Sequence, residues 1–286
     1  MKPVVVALGV STNLVSCLVF RRQGVRDRMN LCLFTLALVD MAFLAYSMAF
    51  TFAYWIRILE PIAGEEVYIK THYYAMGVNY GLREASTCIS VLIAVDRCLC
   101  VVFPLRANTL MSTRTMGILL ATIVIGMQLA FVTTPVKRYV FAVYDNTTGG
   151  TRWAVAPSAA WQKSEVLLVY DKGEDTLMLI VFPLVIFVLV SGSTATTVVT
   201  LRAAMSWREK TSSTSSDTQG QQVALTKMLV LVSCVFIVSK VPWVVITLVR
   251  IFYPDFSPTG IETRKESMFS VQSDLYAESV YELIGT

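Results

Sequence analysis

The sequence predicts an all-α transmembrane helical bundle with six spanning helices, and three observations predict it. Of 286 residues, 55% are hydrophobic and only 15% are charged, with a mean hydropathy of +0.61, too few polar side chains to cover a soluble domain of this size. The apolar residues gather in runs long enough to cross a bilayer, at 3–20, 31–54, 74–102, 116–134, 177–201 and 228–252. Lysine and arginine fall in short clusters between those runs and form no broad patch, so the net charge of +4 marks topology and points to no nucleic-acid partner. The lipid bilayer is the partner that composition demands.

The first run follows Lys2 and could pass for a signal peptide, but it ends at Arg21-Arg22 without a small-residue cleavage site and reads as a spanning helix. The second and third runs carry ionisable residues, discussed below. Pro183 and Pro242 fall inside the fifth and sixth runs, where a membrane helix bends because its neighbours satisfy the freed carbonyls. The polar stretch at 211–222, TSSTSSDTQGQQ, reads as a flexible loop and either a kinase substrate or a plain linker. After Phe252 no run is able to span, so 253–286 is expected to be a polar tail.

Arg21, Arg22, Arg26 and Arg28, then Arg106 and Arg114, then Arg202, Arg208 and Lys210 all fall on one side of such a bundle. The positive-inside rule makes that side cytoplasmic and the N-terminus and tail extracellular. The opposite loops hold Glu60, Glu65, Glu66, Asp145, Glu165, Asp171, Glu174 and Asp175, diluted by Lys137, Arg138 and Lys163. Asn146-Thr147-Thr148 is a glycosylation sequon on the same outer side.

The six cysteines, Cys17, Cys32, Cys88, Cys98, Cys100 and Cys234, lie in or at the edges of apolar runs and suggest neither a disulfide framework nor a zinc site. Cys98 and Cys100 stand at juxtamembrane positions open to palmitoylation. His72, the sole histidine, is expected to face solvent before the third span.

In the third span Asn79, Arg83, Ser86, Ser90 and Arg97 share one narrow helical face, which must point into the bundle or a wet cavity. The second span repeats this with Asp40, Ser47, Thr51 and Tyr54, and the sixth with Thr226, Ser233, Lys240 and Thr247. The hydroxyls can instead bond back to their own helices. Asp40, Arg83, Glu84 and Lys240 need another account. Arg83 and Lys240, with Asn79 and Tyr80 beside them, form a candidate site for a ligand bearing an acidic group; the alternative is structural pairing, for example with Glu84. Glu84 itself lies off the Arg83 face and is expected to meet a neighbouring helix.

Taken together, Gly9 and Asn13, LALVD ending at Asp40, Asp96-Arg97 with Pro104-Leu105 behind it, Pro183, and Phe236 with Pro242 resemble the rhodopsin-type, class A G-protein-coupled receptors. The stretch DRCLCVVFPL is most similar to invertebrate chemosensory and FMRFamide-peptide-like members. The resemblance implies a seven-helix receptor architecture, no enzymatic activity, a plasma-membrane location, a peptide or small-molecule ligand and a heterotrimeric G protein as partner. It implies that Arg97 is held by Asp96 at rest and released on activation, with Pro104 and Leu105 in the loop that meets the G protein. It also implies a sodium pocket at Asp40 and Ser86 with Asn13 nearby, an allosteric ion being the one cofactor in prospect; a hydrogen-bonded Asp40 without an ion is the alternative.

The sequence departs from that pattern at several positions. His72 stands where the third-span cysteine of the family's outer disulfide would fall, and no cysteine occurs between Pro135 and Asp175. Lys240 replaces a sixth-span tryptophan, Ser191 a fifth-span tyrosine, and Gln222 the acid that completes the cytoplasmic lock, while the fourth span lacks its usual tryptophan. Asn79 replaces the aspartate of amine receptors, which argues against an amine ligand. The seventh span is missing after residue 252, so the chain reads as a receptor fragment.

Two other classes compete. A six-span transporter or channel would explain intramembrane charges, but neither repeated halves nor spaced voltage-sensing arginines occur. An intramembrane hydrolase would need a base beside the VSGS serines at 190–193, and the sole histidine lies outside the spans.

Overall fold

The computed structural model describes residues 2–145, 150–211, 231, 234–235, 237–242, 244–249 and 252. Helix α1 is Lys2–Gln23, α2 Arg28–Leu59, α3 Pro61–Val102, α4 Ala107–Leu110 and α5 Thr113–Ala130. Two strands follow, β1 Arg138–Asp145 and β2 Gly150–Pro157, then α6 Ala159–Lys163, α7 Glu165–Thr176, a π-helical turn Leu177–Val181 and α8 Phe182–Thr211. A last helix, α9, includes Ile237–Val249. Among the described residues α2, α3, α5 and Phe182–Ala204 of α8 are long and apolar enough to cross a membrane. The fold is an all-α transmembrane bundle carrying one β-hairpin.

Helix α3 is the axis: α2, α5, α8 and both strands pack on it, and α1 packs on α2. Leu82, Ala85, Ile89 and Ile93, spaced three and four apart, bury one face against Met29, Cys32 and Val39 of α2 and Met116 and Leu120 of α5. Val91, on another face, meets Ile186 and Val190 of α8. Leu14, Ile125 and Val188 point out of the bundle, an apolar exterior that suits lipid and would be unfavourable in water.

Local chemistry explains the ends. Gly24 takes a positive φ of 94° and its amide donates to Phe20 O at 3.1 Å, so a residue without Cβ stops α1. Asp27 caps α2, its carboxylate accepting from the amides of Met29 and Asn30. Glu60 alone separates α2 from α3, and Pro61 opens α3 at a position where no amide hydrogen bond is lost. Both helices thus run beyond the predicted spans toward Glu60; the intervening 55–73 is helical on either side of Glu60, reinforced by the Glu66–Lys70 pair one turn apart. With 42 residues, α3 is about 63 Å long, roughly twice the hydrocarbon thickness.

The bundle therefore has two unlike ends. Arg28 and Asp96 meet at one, while the α2–α3 turn and the β-hairpin occupy the other. Strands β1 and β2 pair antiparallel from Arg138↔Pro157 to Asp145↔Gly150, and Ser158 N donates to Lys137 O at 2.9 Å to close the base. At the π-helical turn Phe182 N bonds Leu177 O, five residues back. Pro183, next in line, offers no amide and pushes against the preceding turn, and the wider ring absorbs that misfit.

Candidate functional site

The Asp96 end is built on one carboxylate. Asp96 sits in the next-to-last turn of α3 with its side chain 1% exposed. Arg97 donates to Oδ2 from Nε at 3.2 Å and again from Nη2. Arg28, from the first turn of α2, brings Nε to 3.4 Å from Oδ1. The rest of the Arg28 guanidinium is also engaged: Nη1 donates to Ala107 O at 2.9 Å and Met111 O at 2.7 Å, and Nη2 to Cys100 Sγ at 3.0 Å. A buried carboxylate between two guanidiniums satisfies the requirement that buried charge be paired. Pro104 and Leu105 lie in the turn just after α3, and Leu105 is 95% exposed.

Sequence reasoning took Arg28 only as a topology charge. The available signal was its position: a cation in the first turn of a helix opposes the helix dipole, and such a residue needs a specific partner.

A second polar group lies midway along α3. Ser86 Oγ donates to Asp40 Oδ1 at 2.5 Å, joining α3 to α2. Asn13 of α1 is half-buried, and among the described residues no hydrogen bond joins it to either. Several hydroxyls do bond back to their own helices: Thr51 to Ser47 O, Thr87 to Arg83 O and Ser90 to Ser86 O. Self-satisfaction therefore accounts for Thr51 and Ser90 but not for Ser86.

Nearer the hairpin end, Arg83 pairs with Glu84 at 2.7 Å and lies 5.1 Å from the Tyr80 ring centroid. Glu84 was expected to meet a neighbouring helix. Glu84 does lie close enough to Lys240 of α9 for the two charges to interact, and the long guanidinium arm of Arg83 also reaches sideways around α3 to it, the structural pairing weighed as the alternative, with Glu84 the more buried of the two. Lys240 of α9 donates to Thr87 Oγ1 at 3.3 Å, one turn below. Asn79 Oδ1 is buried and accepts no hydrogen bond from the described residues. Tyr80 packs on Phe131 at 5.9 Å, where α3 and α5 approach closely: a Cβ on Gly77 would come within 2.7 Å of Phe131 O.

His72 does not simply face solvent. It is stacked on Tyr68 at 5.7 Å and edge-on to Phe50 at 5.9 Å, because the helical continuation of α2 and α3 brings their aromatic residues together. The β-hairpin was also missed, although RYVFAVYD and TRWAVAP flank a short segment rich in Asn, Thr and Gly, residue types that signal a hairpin in sequence. It is fastened by charge. Lys137 pairs with Asp171 and, at 3.1 Å, with Glu174, which also accepts from Thr133 at 3.2 Å; Lys70 of α3 lies 4.5 Å from the Trp153 ring centroid. Burial pulls the Lys137 pKa down, but the two carboxylates outweigh it and the net shift is upward. All six cysteines are free thiols. Phe236 and Asn146 lie outside the described residues, as do the 211–222 loop from residue 212 onward and the tail at 253–286.

Apolar helices enclosing a charged couple at one end, under a cap at the other, define a multi-pass membrane bundle with a polar interior. The description "7 transmembrane receptor (rhodopsin family)" matches residues 12–275; the chain belongs to that family. It is therefore of a signalling-receptor class, not an enzyme class, and the transporter reading is not favoured. No curated protein matches the chain.

Proposed function

We propose that this chain is a plasma-membrane receptor whose Asp96 end faces the cytoplasm and a heterotrimeric G protein, and whose hairpin end is extracellular and admits a peptide or small chemical ligand. The observation that carries the reading is the buried Asp96 paired with Arg97 beside the exposed Leu105. A guanidinium at the mouth of a bundle can exchange one partner for another, which makes a two-state element. Pro183 and Pro242 supply bends in the helices that would move; Phe236 belongs to the same set by resemblance. In nucleotide-exchange assays on membranes containing the full chain and purified Gi, Gq or Gs heterotrimers, Asp96→Asn should raise basal exchange several-fold. No exchange from wild type or variant with any heterotrimer overturns the reading.

For the ligand, Asn79, Tyr80, Arg83 and Lys240 form the candidate site. Among the described residues, two cations and one carboxylate, Glu84, gather here, which supports an acidic group on the ligand. Among the described residues each strand of the hairpin has one edge unpaired in its two-stranded sheet, which supports an extended peptide adding backbone hydrogen bonds there. With a screened agonist in hand, Arg83→Gln and Lys240→Gln should each weaken potency about tenfold or more; unchanged potency in normally trafficked variants removes the site. Asp40 and Ser86 suit a hard monovalent cation in their chemistry, one carboxylate and one hydroxyl, and with Asn13 they would hold sodium as an allosteric ion. Sodium-dependent thermal stability that disappears in Asp40→Asn tests this. A glycan on Asn146, lost in Asn146→Gln, tests the outward orientation of the hairpin.

A further inference from the structure

We propose that Arg28 is a positioning residue for the Asp96–Arg97 pair, keeping Asp96 partnered when Arg97 leaves and fixing the loop that presents Leu105. The proposal rests on the receptor reading and adds a component that the reading does not contain.

The two guanidiniums do not compete for one atom. Arg97 donates to Asp96 Oδ2, whereas Arg28 stands 3.4 Å from Oδ1. Were Arg97 the sole cation, its departure would strand a carboxylate that is 1% exposed, and leaving a buried charge unpaired is among the costlier changes available to a protein. Arg28 comes from a different helix and stands at ion-pair distance from the other oxygen, which accepts no hydrogen bond from the described residues. The released arrangement therefore retains one ion pair at Asp96, and the resting arrangement is favoured by less than the Arg97 contacts alone would dictate.

The same guanidinium reaches the loop. Ala107 O and Met111 O, both accepting from Nη1, flank the short helix α4, which begins two residues after Leu105. Nη2 is occupied by Cys100 Sγ. Nη1 and Nη2 are hydrogen-bonded and Nε faces the carboxylate at 3.4 Å, so the planar group cannot turn without breaking contacts to α3 and to the loop together. Asp27 reinforces this by capping the helix that carries Arg28, and Thr113 Oγ1 donates to Arg26 O at 3.0 Å on the loop's far side. A lysine would keep the charge beside Asp96 but could not reproduce the fork that reaches both carbonyls and the thiol.

The test uses the full chain in lipid nanodiscs, with Arg28→Gln and Arg28→Lys. Two measurements need no G protein: alkylation of Cys100 by N-ethylmaleimide and amide hydrogen exchange over 104–111. Arg28→Gln is expected to speed both severalfold, and Arg28→Lys to leave loop exchange fast despite its charge. The third measurement is basal nucleotide exchange on purified Gi, Gq and Gs, where Arg28→Gln is expected to lower the rate about tenfold by making Arg97 the one cation left at Asp96 among the described residues, beside the weak Cys100 thiol donor. In the Asp96→Asn background that loss should shrink markedly, because no carboxylate remains to be stranded. A merely structural arginine would lower exchange per folded receptor by the same factor in both backgrounds, and that result overturns the proposal, as do unchanged alkylation and loop exchange. If Cys100 and the loop respond but wild type and Asp96→Asn drive no heterotrimer, the receptor reading has failed and the positioning role falls with it.

Discussion

The two ends of the bundle use charge in opposite ways. At the Asp96 end one carboxylate collects two guanidiniums in near-complete burial. At the hairpin end charge is spread over several separate contacts of mixed exposure: Lys137 with Asp171 and Glu174, Lys70 over Trp153 and Arg57 5.0 Å from the Tyr68 ring centroid. Low local dielectric makes the first arrangement sensitive to every partner it loses. The second is distributed over several partners and tolerant of single losses. A site that has two discrete states needs the first kind, and a cap that adapts to what it covers is better served by the second. All six cysteines are free, and among the described residues the ion pairs, the Lys70–Trp153 contact and packing on α3 fasten the hairpin where the family's outer cystine is absent.

This contrast can be broken in graded steps. Asp96→Ala should be the most damaging change, costing about 3–5 kcal/mol by leaving two buried guanidiniums without an anion, measured as loss of thermal stability in detergent. Gly77→Leu lies between the ends; its side chain would be driven into the Phe131 carbonyl, and about 1–3 kcal/mol of overpacking is expected by the same measurement. Glu174→Ala should cost about 1–2 kcal/mol, since Asp171 still holds Lys137 after the loss, and hydrogen exchange of β1 and β2 should rise while that of 104–111 stays unchanged. Lys70→Met, which keeps the apolar stem and removes the charge over Trp153, should cost about 0.5–1 kcal/mol.

The smallest effect is one of pH. The folded-state pKa of Lys137 is raised, so its contribution to stability is full below the unfolded lysine value of about 10.4 and is lost only as pH rises past the folded value. Between neutrality and pH 9, deprotonation of Lys137 should therefore not loosen the hairpin, and strand hydrogen exchange corrected for intrinsic rate should stay flat there.

Much of the bundle was legible because lipid imposes a simple rule, apolar runs of sufficient length, and because the Asp96-Arg97 neighbours are adjacent in sequence. The partners that come from elsewhere were not. Arg28 lies 68 positions before Asp96, and nothing local announces the contact except a cation at the wrong pole of its helix. Asp40 and Ser86 were grouped by resemblance and do meet; Asn13, grouped with them, forms no hydrogen bond to either. Glu84 was expected to meet another helix and does interact with Lys240; its contact with Arg83 is one that helical spacing, which describes where Cβ atoms point, does not give. The strands escaped notice since a search for spans treats everything between them as connection. The 55–73 stretch was read the same way, although its Glu66–Lys70 spacing and Pro61 already described a helix.

The π-helical turn at Leu177–Val181 has a consequence for how the fifth span is addressed. One surplus residue in a helix rotates everything beyond it by about 100°, so α7 and α8 are out of phase. Asp171 and Glu174 can thereby look toward Lys137 while Ile186 and Val190 look toward Val91. Deleting a single residue from that turn would bring the two halves into common phase and oblige one of these faces to turn away from its partner.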